Sequence, residues 1–148
     1  MPIRPENLAR YPKDWPAISA SIRERAGHRC EWVDGEMRCA ARQYAFGAWK
    51  LVDGIWQWDQ WSSPLASFKH ARQAAAEVYA AGDAWDCDWP KPTVIVLTVA
   101  HLNHEPEDCR PENLAAWCQR HHLAYDHIHH QTNAQASRRA RVGQSELF

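Results

Sequence analysis

Apolar positions along this chain fall into short periodic stretches separated by polar turns, and each stretch predicts an element. Trp15, Ile18 and Ile22 recur at i, i+3 and i+7, which is one face of a helix. Asp14 stands at its capping position, Pro16 in its first turn and Gly27 at its stop. In WKLVDGIWQW (49–58) apolar and polar residues alternate on both sides of Asp53-Gly54, predicting a hairpin with Trp49 and Leu51 opposite Trp56 and Trp58. SFKHARQAAAEVYAA (67–81) predicts a helix capped by Ser67 and ended by Gly82. Thr93–Leu102 is a β-branched run that predicts a strand ending in His101. After the polar loop NHEPEDCRPEN, Leu114–Trp117 is apolar again and Cys118–His130 reads as a helix. The fold class is therefore α+β.

Composition sharpens this reading in one respect. The 148 residues include nine Trp, nine His and five Cys, in a chain long enough for one domain with a modest core. No apolar run approaches a spanning helix, and MPIRPENLAR is no signal peptide. A secreted disulfide scaffold is disfavoured, and the odd cysteine count weakens it further. The chain is expected in the cytoplasm, without membrane association, and its Cys and His point to metal.

A formal net charge of −1 removes the simplest argument for nucleic-acid binding. It hides a pattern, however. Residues 1–29 and 136–148 are net basic, whereas 30–92 and 93–135 are each net acidic. Seven His lie between His101 and His130, within an acidic segment, a mixture that suits divalent cations better than phosphates.

Cys118-x-x-His121 has the spacing of a zinc knuckle, and Cys30 and Cys39, on either side of an Asp34-Gly35 turn, can complete a Cys3His structural zinc site. Cys87 or Cys109 could displace one of these ligands, and each is otherwise a small apolar residue. Residues 43–90 form an inserted module of hairpin plus helix that holds six of the nine Trp. They are expected to pack a core of their own in preference to forming a binding surface. The tail, roughly 132–148, carries Arg138, Arg139 and Arg141; disorder and a phosphate-binding arm are both open.

His101, Asn113 and His122 come in the order strand end, loop, helix. With VLTVAHLNHEPEDCRPENLAAWCQRHHLAYDHIHH and RAGHRCE, the chain here resembles the HNH endonuclease family, in particular its compact phage and prophage members. The resemblance covers about 35 residues plus the stretch around Cys30. It implies a ββα-metal (His-Me finger) unit stapled by the zinc, in a bacterial or phage-infected cell. It also implies hydrolysis of DNA phosphodiester bonds. His101 would be the general base that activates water, and Asn113 would fix the loop and orient the His101 ring. His122 would bind a catalytic Mg²⁺ or Mn²⁺.

Two positions depart from the family pattern. Ala100 stands where many members have a second metal ligand, and His104, Asn103 or Asp126 could supply one, with His104 favoured. His121 stands where Cys is usual. Ala100 also supports an alternative, a catalytically degenerate HNH-fold zinc protein that binds DNA or protein. DNA contacts would come from Arg23, Arg29, Arg110, Arg120, Arg138, Arg139 and Arg141, giving weak, salt-dependent binding unless a partner protein delivers the DNA. The Trp-rich insert could itself engage a phage or host protein.

Overall fold

The computed structural model describes residues 5–82, 90–127, 129, 131 and 132. Arg138, Arg139, Arg141, Cys87, Trp85 and Trp89, named above, lie outside them. The described residues form a mixed α+β domain with three small antiparallel sheets. In chain order these are α1 (Trp15–Arg25), a hairpin of β1 (Val33–Asp34) and β2 (Met37–Arg38), and a hairpin of β3 (Phe46–Val52) and β4 (Ile55–Gln60). There follow α2 (Phe68–Ala81), β5 (Thr93–Val94), β6 (Leu97–His101), β7 (Leu114–Cys118) and a helix, α3, that begins at residue 119. Short 3-10 turns cover Pro5–Arg10 and Pro111–Asn113. Among the described residues no helix is long and apolar enough to cross a membrane.

Helix caps follow the sequence signals unevenly. The Ser67 hydroxyl accepts from the His70 amide at 3.3 Å, and the Gly82 amide closes α2 on the Val78 carbonyl. Asp14 makes no side-chain cap bond; its backbone carbonyl instead accepts from the amides of Ala17 and Ile18 at 2.9 and 3.0 Å. The hairpin has the expected register, Trp49 opposite Trp58 and Leu51 opposite Trp56. Asp53 and Gly54 both hold positive φ (50° and 79°), the left-handed pair that a two-residue turn needs to match strand twist.

The expected single strand Thr93–Leu102 is two strands in two sheets. Thr93 pairs with Gly47 of β3, whereas Leu97–His101 pairs with β7, Leu97 opposite Cys118 and His101 opposite Leu114. Between them Ile95 keeps backbone bonds to Ala45 and Tyr44, and side-chain amides hold its neighbours. Gln119 Oε1 accepts from the Val96 amide (3.1 Å) while its Nε2 donates to the Val94 carbonyl (2.7 Å). Gln43 Oε1 accepts from the Leu97 amide (2.5 Å). These bonds satisfy the backbone where the chain changes partners.

Every residue of β7 is buried. Alternate side chains of a strand face opposite sides. Thus Leu114 and Ala116 join Ile22 and Ala26 of the α1 region, while Ala115 and Trp117 join Cys30, Ile95, Leu97 and Cys118. Trp49 and Trp58 pack against this second cluster too, so these two hairpin tryptophans share the main core, while Trp56 is exposed. A two-stranded hairpin has too little interior for a core of its own. Gly47 allows the close strand approach at the base of the hairpin, because a Cβ there would collide with the Asp59 backbone carbonyl. We expect Gly47→Ala to lower unfolding free energy by about 2 kcal/mol or more, in the range of overpacking. Urea denaturation checks this, and an unchanged midpoint would mean the two strands are not held this closely.

Candidate functional site

The sulfurs of Cys30, Cys39 and Cys118 and a ring nitrogen of His121 all lie within 4.8 Å of one another. Among the described residues this is the one such group of three or more Cys, His, Asp or Glu. Cys30 and Cys118 are fully buried. His121 turns Nδ1 toward both sulfurs, 3.6 Å from Cys30 and 3.3 Å from Cys118. Trp32 stacks on its ring (centroids 5.1 Å apart, planes 5°) and Trp49 meets it edge-on.

The loop that presents Cys30 and Cys39 is tied by backbone and arginine bonds. Cys30 N–H reaches Ala41 O (2.9 Å) and Cys39 N–H reaches Trp32 O (2.8 Å). Arg38 donates to the carbonyls of Cys30, Ala26 and Arg29, and Arg29 to those of Cys39 and Arg38. Glu31 then staples the loop to β7, donating its own amide to Ala116 O and accepting the Ala116 amide on its carboxylate at 2.8 and 2.7 Å. Hydrogen bonding from the Cys118 and Cys30 thiols holds Cys39 down at about 3. Cys30 first, and then Cys39, push the Cys118 thiol up. One negative charge is thus readily shared among the sulfurs and further ones are opposed, the situation a cation relieves. Three thiols and an imidazole are the donor set of a structural zinc.

A second constellation lies on the other side of α3. His101, His104, His122, Asp126 and His129 line one cavity of about 290 Å³, with Arg10 and Tyr11 on its N-terminal wall. His101 ends β6, is buried, and stacks on Trp15 (4.9 Å, 23°) with Tyr11 edge-on. Its Nε2 lies 3.6 Å from the Cys109 sulfur. Burial lowers the His101 pKa below the ordinary imidazole value of 6.5, against the opposing pull of Asp108 and Glu107. His122 contacts Thr98 Oγ1 through Nδ1 (2.5 Å) and Asp126 Oδ2 through Nε2 (3.2 Å). The other Asp126 oxygen is 3.6 Å from His104 Nδ1.

Asn113 is buried beneath the loop between β6 and β7. Its Oδ1 accepts from the Asn103 amide, and its Nδ2 donates to Asn103 Oδ1 and Asp108 O at 2.9 and 2.8 Å. It therefore acts on the loop backbone, while the contacts on the His101 ring come from Trp15, Tyr11 and Cys109. Ala100 is buried and contributes no donor.

The structure matches no protein-family model, no curated protein and no solved structure.

The nominated arginines divide by what already holds them. Arg29 is committed to the knuckle carbonyls. Arg110 pairs with Asp108 and Glu112, and Arg120 lies over the rings of Trp56 and Trp49, 4.3 and 5.3 Å from their centroids. Arg23 is half-buried on α1. The cation on the histidine pocket is Arg10, bidentate to Glu107 at 2.6 and 3.0 Å. Its place there, like those of Tyr11 and Trp15, depends on contacts across about ninety residues that no local pattern announces.

A structural zinc contributes on the order of 10 kcal/mol to folding, comparable to the whole stability of a small domain. We expect purified protein to carry about one zinc per chain by elemental analysis, matching the single four-residue cluster. Cys118→Ser should abolish both zinc retention and cooperative thermal unfolding. Cooperative unfolding at an unchanged temperature after the metal is stripped would count against the assignment.

Proposed function

We propose that the chain is a metal-dependent DNA endonuclease of the HNH type, built on a ββα-metal unit. The observation that carries this reading is convergence. An antiparallel strand pair and the helix after it deliver His101 and His122 to one cavity, and Asn113 pins the loop between the strands. That order and placement agree with the roles the sequence resemblance implies.

His122 and Asp126 stand one helical turn apart, side by side on the pocket wall with Nε2 and Oδ2 3.2 Å apart. An imidazole and a carboxylate suit Mn²⁺ or Mg²⁺, and Asp126 is the donor that offsets Ala100, with His104 Nδ1 3.6 Å from its other oxygen. A cation held there would supply positive charge for the phosphate and the departing oxygen. The remaining roles belong to the chain itself. The His101 imidazole takes a proton from the water that attacks phosphorus as the P–O bond breaks. Trp15 and Tyr11 keep that ring in place and partly dry, which favours the neutral, proton-accepting form. Arg10 can exchange Glu107 for a phosphate oxygen, a bidentate geometry that guanidinium supports.

A second reading, a degenerate HNH-fold zinc protein that only binds DNA or protein, is favoured by Ala100 alone. Cleavage of supercoiled plasmid with Mg²⁺ or Mn²⁺ separates the two. We expect His101→Ala to lose at least ~100-fold in rate, the usual scale for a general base; equal cleavage by mutant and parent would reject His101.

The pH dependence gives an independent readout. A lowered pKa means that the neutral base survives below pH 6.5, so the acidic limb of kcat/KM falls below that value. Trp15→Ala admits water to the ring and should move the limb up toward 6.5.

A further inference from the structure

The two hairpins and the first turn of α3 enclose a groove of about 450 Å³ on the face opposite the histidine pocket. Trp32 and Asp34 wall it from the β1–β2 side, Ile55 and Trp56 from the β3–β4 tip, and Arg120 and Ala124 from the helix. Arg120 and Ala124 are one turn apart, as are His122 and Asp126. The two pairs are offset by two residues, about 200° around an α-helix, so α3 separates the groove from the pocket.

The surface around the groove is unusually apolar for two solvent-facing hairpins. Val33, Met37, Leu51, Val52, Ile55 and Trp56 are each more than two-fifths exposed. Ile55 and Trp56 bring this exposed apolar surface to the wall of a groove of ligand-site size, which marks a recognition surface.

Its charge selects the partner. Asp34 lies in the groove wall, and Glu36 and Asp53 stand at the two turns. All three are exposed, and they pair with no cation among the described residues. Arg120, the cation in the groove wall, lies over the faces of Trp56 and Trp49 and offsets one of these charges, leaving the carboxylates in excess. Three such carboxylates repel a phosphate backbone and attract Lys or Arg.

We propose that this groove docks a partner protein through a short segment combining large apolar side chains with lysine or arginine. An apolar side chain of the partner fills the space between Trp32 and Trp56, and its cations meet Asp34, Glu36 and Asp53. Buried aromatic anchors ringed by charge are where interface energy concentrates. The site does not depend on the nuclease reading, because the helix face that carries it is not the one that carries His122.

The test uses the full zinc-loaded chain and three fluorescein-labelled peptides, of repeating Lys-Leu, Glu-Leu and Lys-Ser, read by fluorescence anisotropy. The Lys-Leu peptide should bind saturably and the other two should not. Its affinity should fall roughly tenfold in Trp56→Ala, and again in Asp34→Asn combined with Asp53→Asn, the scale of a hot-spot loss. Ile55→Lys, at a residue more than half exposed, repeats the test at a second position. Zinc content and far-UV circular dichroism verify that each variant is folded. Failure of the Lys-Leu peptide to bind, or binding indifferent to all these changes, would overturn the proposal. So would binding of oligothymidylate that Trp56→Ala abolishes, or a dimer in sedimentation that the same change dissolves.

Discussion

Crowding three thiols and an imidazole into a space under 5 Å across is unfavourable for the bare chain, and a bound cation reverses the sign of that energy. The ligands come from a loop after α1, from the end of β7 and from the first turn of α3. Closing the cluster therefore does three things at once. It brings α1 against β7, where Leu114 and Ala116 meet Ile22 and Ala26. It sets the end of β7, and with it the register that puts His101 opposite Leu114. It also fixes the rotation of α3, since His121 must face the sulfurs.

That last constraint reaches the chemistry directly. Neighbouring residues on a helix are about 100° apart, so holding His121 on the metal cluster swings His122 toward Thr98, Asp126 and the pocket. Two adjacent histidines thus belong to different sites, one structural and one facing the cavity. Arg120 falls on a third bearing, over the tryptophans of the hairpin. A single helical turn distributes three environments, and the metal cluster sets its angle.

Desolvation is the second organising effect. His101 is enclosed by Trp15, Tyr11 and Cys109, and that burial outweighs the attraction of Asp108 and Glu107 on its charged form. Two of the enclosing residues, Trp15 and Tyr11, come from the N-terminal segment, which is latched to the loop by Arg10 and Glu107. An element that contributes no donor to the metal cluster therefore sets the protonation state of the pocket. The hairpin carries the opposite balance, with Trp49 and Trp58 against the core and Trp56 and Ile55 left in water.

Much of this was legible in residue order. Ser67, the Asp53-Gly54 turn, the Cys118-x-x-His121 spacing and the Cys30/Cys39 pair announce their roles because caps, two-residue turns and metal knuckles are local devices with fixed spacings. The α+β class and the Cys3His cluster followed from them. The capping role of Asp14 and the single strand 93–102 did not hold. The first failed because Asp14 sits at φ −88°, ψ 11°, outside the extended backbone from which a capping side chain reaches the first amides, and the second because Tyr44, Ala45 and the side chains of Gln43 and Gln119 hold the backbone between two sheets. Likewise, only the tertiary structure decided which arginines are already bound, that Trp15 and Arg10 belong to the histidine pocket, and that Asp126 faces His122 within it. Local spacing specifies turns, caps and ligand pairs; which distant groups a buried imidazole meets is set by the packing of the whole chain.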